Sequence, residues 1–220
     1  MTNKIKKIFS SMLALILSIT LFNIDVKASE NKTDEQIIGE MMYMQDQITE
    51  TLIIENNRYI YNYDTIKEIV DNYNFEEFNQ LFNTDYTNES FLNTAINLIR
   101  NTDLTPQISP AGICGQTWTI EGWNYTRTAQ TKAVSNAFVN DLNNYAAICA
   151  AGGSIGGAAT SAVPPVALLL AAAGTLGALY YETFANNLSY QNSLSGCGTV
   201  IDINKFTFYY QIWNQANYNG

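Results

Sequence analysis

The chain contains no histidine. That removes the imidazole general base, the imidazole zinc ligand and every Ser-His-Asp or Cys-His relay. Positive charge is also scarce: 11 Lys and Arg stand against 20 Asp and Glu in 220 residues, a formal net charge of −9. No nucleic-acid partner is expected, because neutralising phosphates takes clustered Lys and Arg. Charged residues of either sign make up 14% of the chain, against roughly 25% in ordinary soluble domains. The sequence also lacks a phosphate-binding loop, a His-Glu-x-x-His helix motif and an EF-hand loop. No Cys-x-x-Cys pair is present to hold zinc. The expectation is a non-enzymatic protein with no catalytic residues, no metal ligands and no cofactor.

What is present begins with an address. Lys4, Lys6 and Lys7 precede an apolar stretch over residues 8–22, and Val26-Lys27-Ala28 ends in a small residue. A basic start, a short apolar stretch and a small-residue cleavage site predict a Sec-type signal peptide over residues 1–28. The apolar stretch is short for a span of roughly 20 residues. The Asn, Ile and Lys bias fits AT-rich coding, and with the signal it points to secretion from a Gram-positive bacterium. In an exported chain cysteines tend to pair. Three cysteines cannot all pair within one chain. Cys114-Gly115 and Cys197-Gly198 each precede a strand-like run, so Cys114–Cys197 is the expected disulfide, leaving Cys149 free or paired elsewhere.

The remaining chain has two halves of different chemistry. Residues 29–108 hold fifteen acidic and four basic residues. Residues 109–220 hold only Glu121, Asp141, Glu182 and Asp202 against Arg127, Lys132 and Lys205. Pro106 and Pro110 with small polar neighbours mark a linker between them. The predicted organisation is an acidic, mostly helical pro-region or N-terminal domain over 29–105, a linker over 106–113 and a β-α-α-β domain over 114–220.

In the acidic half, Ile37, Ile38, Met41, Met42 and Met44 form a crowded helical stripe. Residues 51–63 suit a short hairpin turning at Asn56-Asn57. Asp64 is the expected cap of a helix through Ile66, Ile69 and Val70. Phe75, Phe78, Leu81 and Phe82 form a second stripe. Phe91, Leu92, Ala95, Ile96 and Ile99 form a third. The half reads either as a solvated bundle or as a pro-region that masks the second half until it is removed.

In the second half, residues 116–125 are strand-like, and a helix is expected from about Ala129. Val134, Phe138, Leu142, Tyr145 and Cys149 are spaced to share one helical face. Between Asp141 and Glu182 lie 40 residues without a charge. Gly152-Gly153 and Gly156-Gly157 loosen the helix, and Pro164-Pro165 restart it. A helix apolar all round belongs in a core or a membrane. The run therefore predicts a Gly/Ala-rich hairpin over 146–181. Its insertion residues would be Ile148, Ile155, Pro164, Pro165, Val166, Leu168, Leu169, Leu170, Leu176 and Leu179, with Tyr180 and Tyr181 as interfacial aromatics. Plain burial of the hairpin in its own domain is the competing reading, and a buried hairpin released later to a bilayer would satisfy both. In the C-terminal segment Phe206, Phe208, Tyr210 and Ile212 alternate with Thr207, Tyr209, Gln211 and Trp213. This is one long strand, or a hairpin turning at Asn204-Lys205. Trp118, Trp123, Tyr209 and Trp213 could then gather as an aromatic surface, or seal the hairpin into the core. The fold class expected is α+β, with the apolar hairpin packed on a small antiparallel sheet.

An exported chain with a removable leader part and the apolar run 146–181, bent at Pro164-Pro165, resembles bacteriocin-type antimicrobial precursors and the membrane-inserting hairpins of pore-forming toxins. The resemblance is architectural and covers about a sixth of the chain. It implies an antimicrobial, membrane-permeabilising protein whose partner is membrane lipid, with residues 29–108 as pro-region. The alternative is a secreted structural or surface-interaction module whose hairpin is only its core. Its aromatic strands would bind a cell-surface glycan or protein.

Overall fold

Two asparagines in succession decide the first turn. Asn56 and Asn57 both take left-handed backbone (φ 50° and 60°), the requirement of a tight two-residue hairpin turn. They join β1 (Ile53–Glu55) to β2 (Arg58–Ile60), pairing Glu55 with Arg58 and Ile53 with Ile60. The hairpin expected there is present. The computed structural model describes residues 32–104, 114–152 and 176–218. The expected signal peptide, the linker and the middle of the apolar run lie outside them.

The chain divides after Glu40. Of the first unit, residues 32–40 are described. Thr33 and Gln36 exchange side-chain-to-backbone hydrogen bonds in a capping box, and Lys32 pairs with Glu40 at 2.7 Å. Residues 41–220 form the second unit.

Helix α1 (Asp34–Thr51) buries Met41, Met44 and Ile48 along one face. Helix α2 (Tyr63–Asp71) starts one residue before the expected cap. Asn62, not Asp64, is the cap: its side chain accepts from the Asp64 and Thr65 amides at 2.9 and 3.3 Å. Either residue type can cap; the one whose backbone stays extended does so here. Helix α3 (Glu76–Phe82) and helix α4 (Asn88–Asn101) follow. Phe78 and Phe82 are buried on the first, and Phe91, Leu92, Ala95, Ile96 and Ile99 on the second. Thr87 and Ser90 close a capping box at the start of α4.

The second half is a four-stranded antiparallel sheet in the order β3-β4-β5-β6, with two helices against one face. Where one strand was expected over 116–125 there are two. β3 (Trp118–Glu121) reverses at Gly122 into β4 (Tyr125–Gln130). Ala129 is not helical; it pairs with Val200 at the end of β4. Thr126 and Thr128, β-branched and alternating, favour the strand, which runs to Gln130, one residue beyond the expected helix start. Thr131 then caps helix α5 (Lys132–Ala150), accepting from the Val134 amide. Helix α6 (Ala178–Ser193) packs along α5. β5 (Thr199–Asn204) and β6 (Tyr210–Asn214) form a hairpin. Residues 205–209 belong to its turn, so Phe206 and Phe208 do not continue a strand face. Asn204 causes this: its side-chain oxygen accepts from the Phe206 and Thr207 amides at 2.9 and 3.0 Å, a turn in which asparagine mimics backbone.

The fold class is therefore α+β, as expected: a helical N-terminal part, then a β-α-α-β arrangement on an antiparallel sheet. Cys114 and Cys197 form the disulfide. Next to it, Gly198 has φ 94°, and a Cβ there would stand 2.0 Å from the Gln130 carbonyl oxygen, so only glycine fits.

Two cores result. One lies between α5, α6 and the inner sheet face: Phe138, Leu142, Tyr145, Tyr181, Phe184, Leu188, Ile201 and Ile203. Phe184 stacks flat on Tyr210, centroids 4.0 Å apart. The other joins the helical part to the sheet. Phe206 lies 4.9 Å from Phe91 and 6.1 Å from Trp123. The Trp123 indole donates to the Thr49 hydroxyl at 3.0 Å.

Burial raises the phenols of Tyr180, Tyr181 and Tyr210 above their ordinary value of 10, Tyr210 to about 12. A group held protonated by folding stabilises fully below its unfolded pKa and loses that contribution as pH rises through the folded one. Stability is thus expected to fall as pH climbs past about 10. The urea midpoint should decline as pH rises past about 10, with unfolding increasing phenolate absorbance from these three rings.

Candidate functional site

The outer face of the sheet is built by alternation. Successive strand residues point to opposite faces, so the residues opposite Ile201 and Ile203 form a second set. Cross-strand pairing places Tyr125 beside Asn204, Arg127 beside Asp202, Asp202 beside Gln211, and Val200 beside Trp213. Trp118 pairs with Ala129 at the β3 edge. A 3₁₀ turn, Gln215–Asn217, then carries Tyr218 back over this face. Gln215 fixes that return, donating to the carbonyls of Gln116 and Gln130 at 2.7 and 3.0 Å.

Arg127 is the centre of the face. Its Nε and Nη2 donate to Asp202 Oδ2 at 3.0 and 2.5 Å, and its Nη1 donates to the Tyr218 hydroxyl at 3.0 Å. The guanidinium lies 5.2 Å from the Tyr125 ring centre and 5.8 Å from those of Trp213 and Tyr218, within cation–π range. Three aromatic rings and one carboxylate thus hold a single planar cation.

Beside this cluster is a cleft of about 190 Å³ lined by Met42, Asp46, Asn124, Tyr125, Asp202, Asn204, Tyr209 and Gln211. Gln45, fully buried, accepts from the side-chain amides of Asn124 and Asn204 at 3.1 and 2.8 Å. Those two lining residues are therefore fixed from beneath. Asp202 Oδ1 is buried and has no hydrogen-bond partner among the described residues. Burial raises the Asp202 carboxyl above its ordinary value although Arg127 pulls the other way. Partial desolvation, then Glu50, raises Asp46. Among the described residues no cluster of three acidic or cysteine side chains could hold a metal ion.

The residues singled out from sequence fall in different places. Trp118 and Trp213 flank Tyr218, each with its ring centre 5.8 Å away. Tyr209 lines the cleft. Trp123 belongs to neither; it is 1% exposed and is part of the interior, because the β3–β4 reversal turns it toward α1. The four do not form one patch. At the ends of the apolar run, Ile148 and Leu176 pack partly buried against the helix–sheet core. Leu179 is exposed. Tyr181 is fully buried, and Tyr180 donates its hydroxyl to the Phe208 carbonyl at 2.7 Å. Ile155, Pro164, Pro165, Val166, Leu168, Leu169 and Leu170 lie outside the described residues. No helix among the described residues is long and apolar enough to cross a membrane. Cys149 is free, its sulfur 3.9 Å from the Leu176 carbonyl, and burial raises its thiol pKa.

Sequence reasoning missed Arg127, Asn124, Asn204, Gln211 and Tyr218. The signal for Arg127 was its period-two spacing with Tyr125 and Ala129; the residues contributed by other elements had no local signal. No protein-family model matches the chain, and neither a curated protein nor a solved structure matches it.

Proposed function

We propose that this is a secreted, non-enzymatic, membrane-active protein that acts through the apolar run 146–181. The observation that supports the reading is the arrangement of the run's two ends. The end of α5 and the start of α6 lie side by side: Tyr145 and Tyr181 are 5.8 Å apart at their centroids, and Cys149 meets the Leu176 carbonyl. The chain therefore leaves and returns at one end of a helix pair anchored to a sheet. The 23 residues between, 153–175, carry no charge. An uncharged segment with both ends held together needs no further unfolding of its anchor to meet a bilayer. The disulfide is compatible with an extracellular location.

The test is dye release from anionic and zwitterionic liposomes by the full chain and its Leu169→Glu variant. A charge at the centre of an inserted helix costs about 2.5–3.5 kcal/mol. Leakage by the variant is expected to fall about a hundredfold. No leakage by the parent chain, or equal leakage by both, overturns the proposal.

A further inference from the structure

We infer that the cleft beside Arg127 binds a single saccharide unit. Its size is the first ground. At about 190 Å³ it is below the roughly 300–1,000 Å³ of sites for drug-sized ligands, and it suits one small polar group.

Its chemistry is the second. Of the eight lining residues only Met42 is apolar; the others are two carboxylates, three carboxamides and two phenols. Such a lining cannot hold a lipid tail or an apolar side chain without leaving polar groups unpaired. Asp202 Oδ1 is already buried without a partner, a state that costs free energy until a donor arrives. The cleft runs beside this carboxylate, so a ligand hydroxyl can supply that donor once the Asp202 side chain turns Oδ1 toward it, and neighbouring hydroxyls reach the carboxamides. An anion is disfavoured because both charged groups in the lining are negative. A cationic amine gains little, because Arg127 already neutralises Asp202 and Asp46 faces solvent.

Pre-organisation is the third. Asn124 and Asn204 are held by Gln45, and Asn204 also by two backbone amides. Asp202 is fixed by two bonds from Arg127. Little side-chain entropy remains to be lost when a ligand arrives. The tyrosines add ring surface; Arg127 lies over that of Tyr125, so Tyr209 is the ring placed to meet a sugar. The inference does not depend on insertion of the apolar run.

The experiment is an NMR titration of the full chain with glucose, galactose, mannose and N-acetylglucosamine, and separately with methylammonium. At least one sugar is expected to shift the side-chain amide signals of Asn124, Asn204 and Gln211 saturably, with a Kd on the order of 1 mM. Asp46→Ala and Tyr209→Ala, both at the rim, should each weaken that binding about tenfold with an unchanged melting temperature. If either variant melts early, Gln211→Ala takes its place. Three results overturn the inference: no saturable shift with any sugar, a shift that the folded variants leave unaltered, or saturable binding of methylammonium with none of the sugars.

Discussion

Removing the Cys114–Cys197 disulfide, by reduction or as Cys197→Ser, is expected to lower the unfolding free energy by about 4.5 kcal/mol. The bond closes a loop across a sequence separation of 83 residues. In the chain-entropy view a loop of that size gives up much freedom in the unfolded state, and the bond removes most of it in advance. The loop contains the apolar run together with β3, β4, α5 and α6. The Gly115 amide also donates to the Cys197 carbonyl at 3.0 Å, so the bridge continues into the sheet. The measurement is urea unfolding with and without reductant; a loss under about 1 kcal/mol would contradict the account. Since small domains typically have 5–15 kcal/mol in all, a loss of the expected size leaves little.

Trp123→Ala is expected to cost about 3–5 kcal/mol. The indole is 1% exposed and joins the β3–β4 turn to α1 through Thr49 and to the β5–β6 turn through Phe206. Its loss leaves a cavity between two parts of the chain that differ in composition. Thr49→Val, which removes only the hydroxyl, should cost about 1 kcal/mol, and thermal melts of both variants separate packing from hydrogen bonding. The same contacts bear on the notion of a removable acidic half. A chain cut to residues 109–220 would expose Trp123 and Phe206, both buried here. Any processing that removes residues 41–104 therefore has to offset that exposure, for example by transfer of the freed part to lipid.

The candidate site was only partly legible in sequence. Trp118, Tyr209 and Trp213 stood out as aromatics on strand-like runs. Arg127 did not, because its role depends on Asp202, 75 residues later, and on Tyr218, 91 residues later. Asp202 carried no local signal for the same reason. Asp46 sits on a helix otherwise read as a stripe of methionines, and only the chain path brings it to the cleft.

Helical stripes were readable wherever apolar spacing was local: residues 91–99 and 138–145 are buried in the pattern their sequence displays. The Asn56-Asn57 turn was readable because left-handed backbone favours asparagine. The cysteine pairing followed from matching Cys-Gly contexts and the odd count. These features rest on interactions within a few residues, or on chemistry with few alternatives. Tertiary structure alone decided the rest. It split one apparent strand at Gly122, drew Ala129 into β4 through pairing with Val200, and turned Phe206 out of the final strand into the core beside Phe91. It also set Arg127 among rings from three separate segments. In each case the competing local preferences were nearly equal, and long-range pairing or burial, which no short window of sequence contains, tipped the balance.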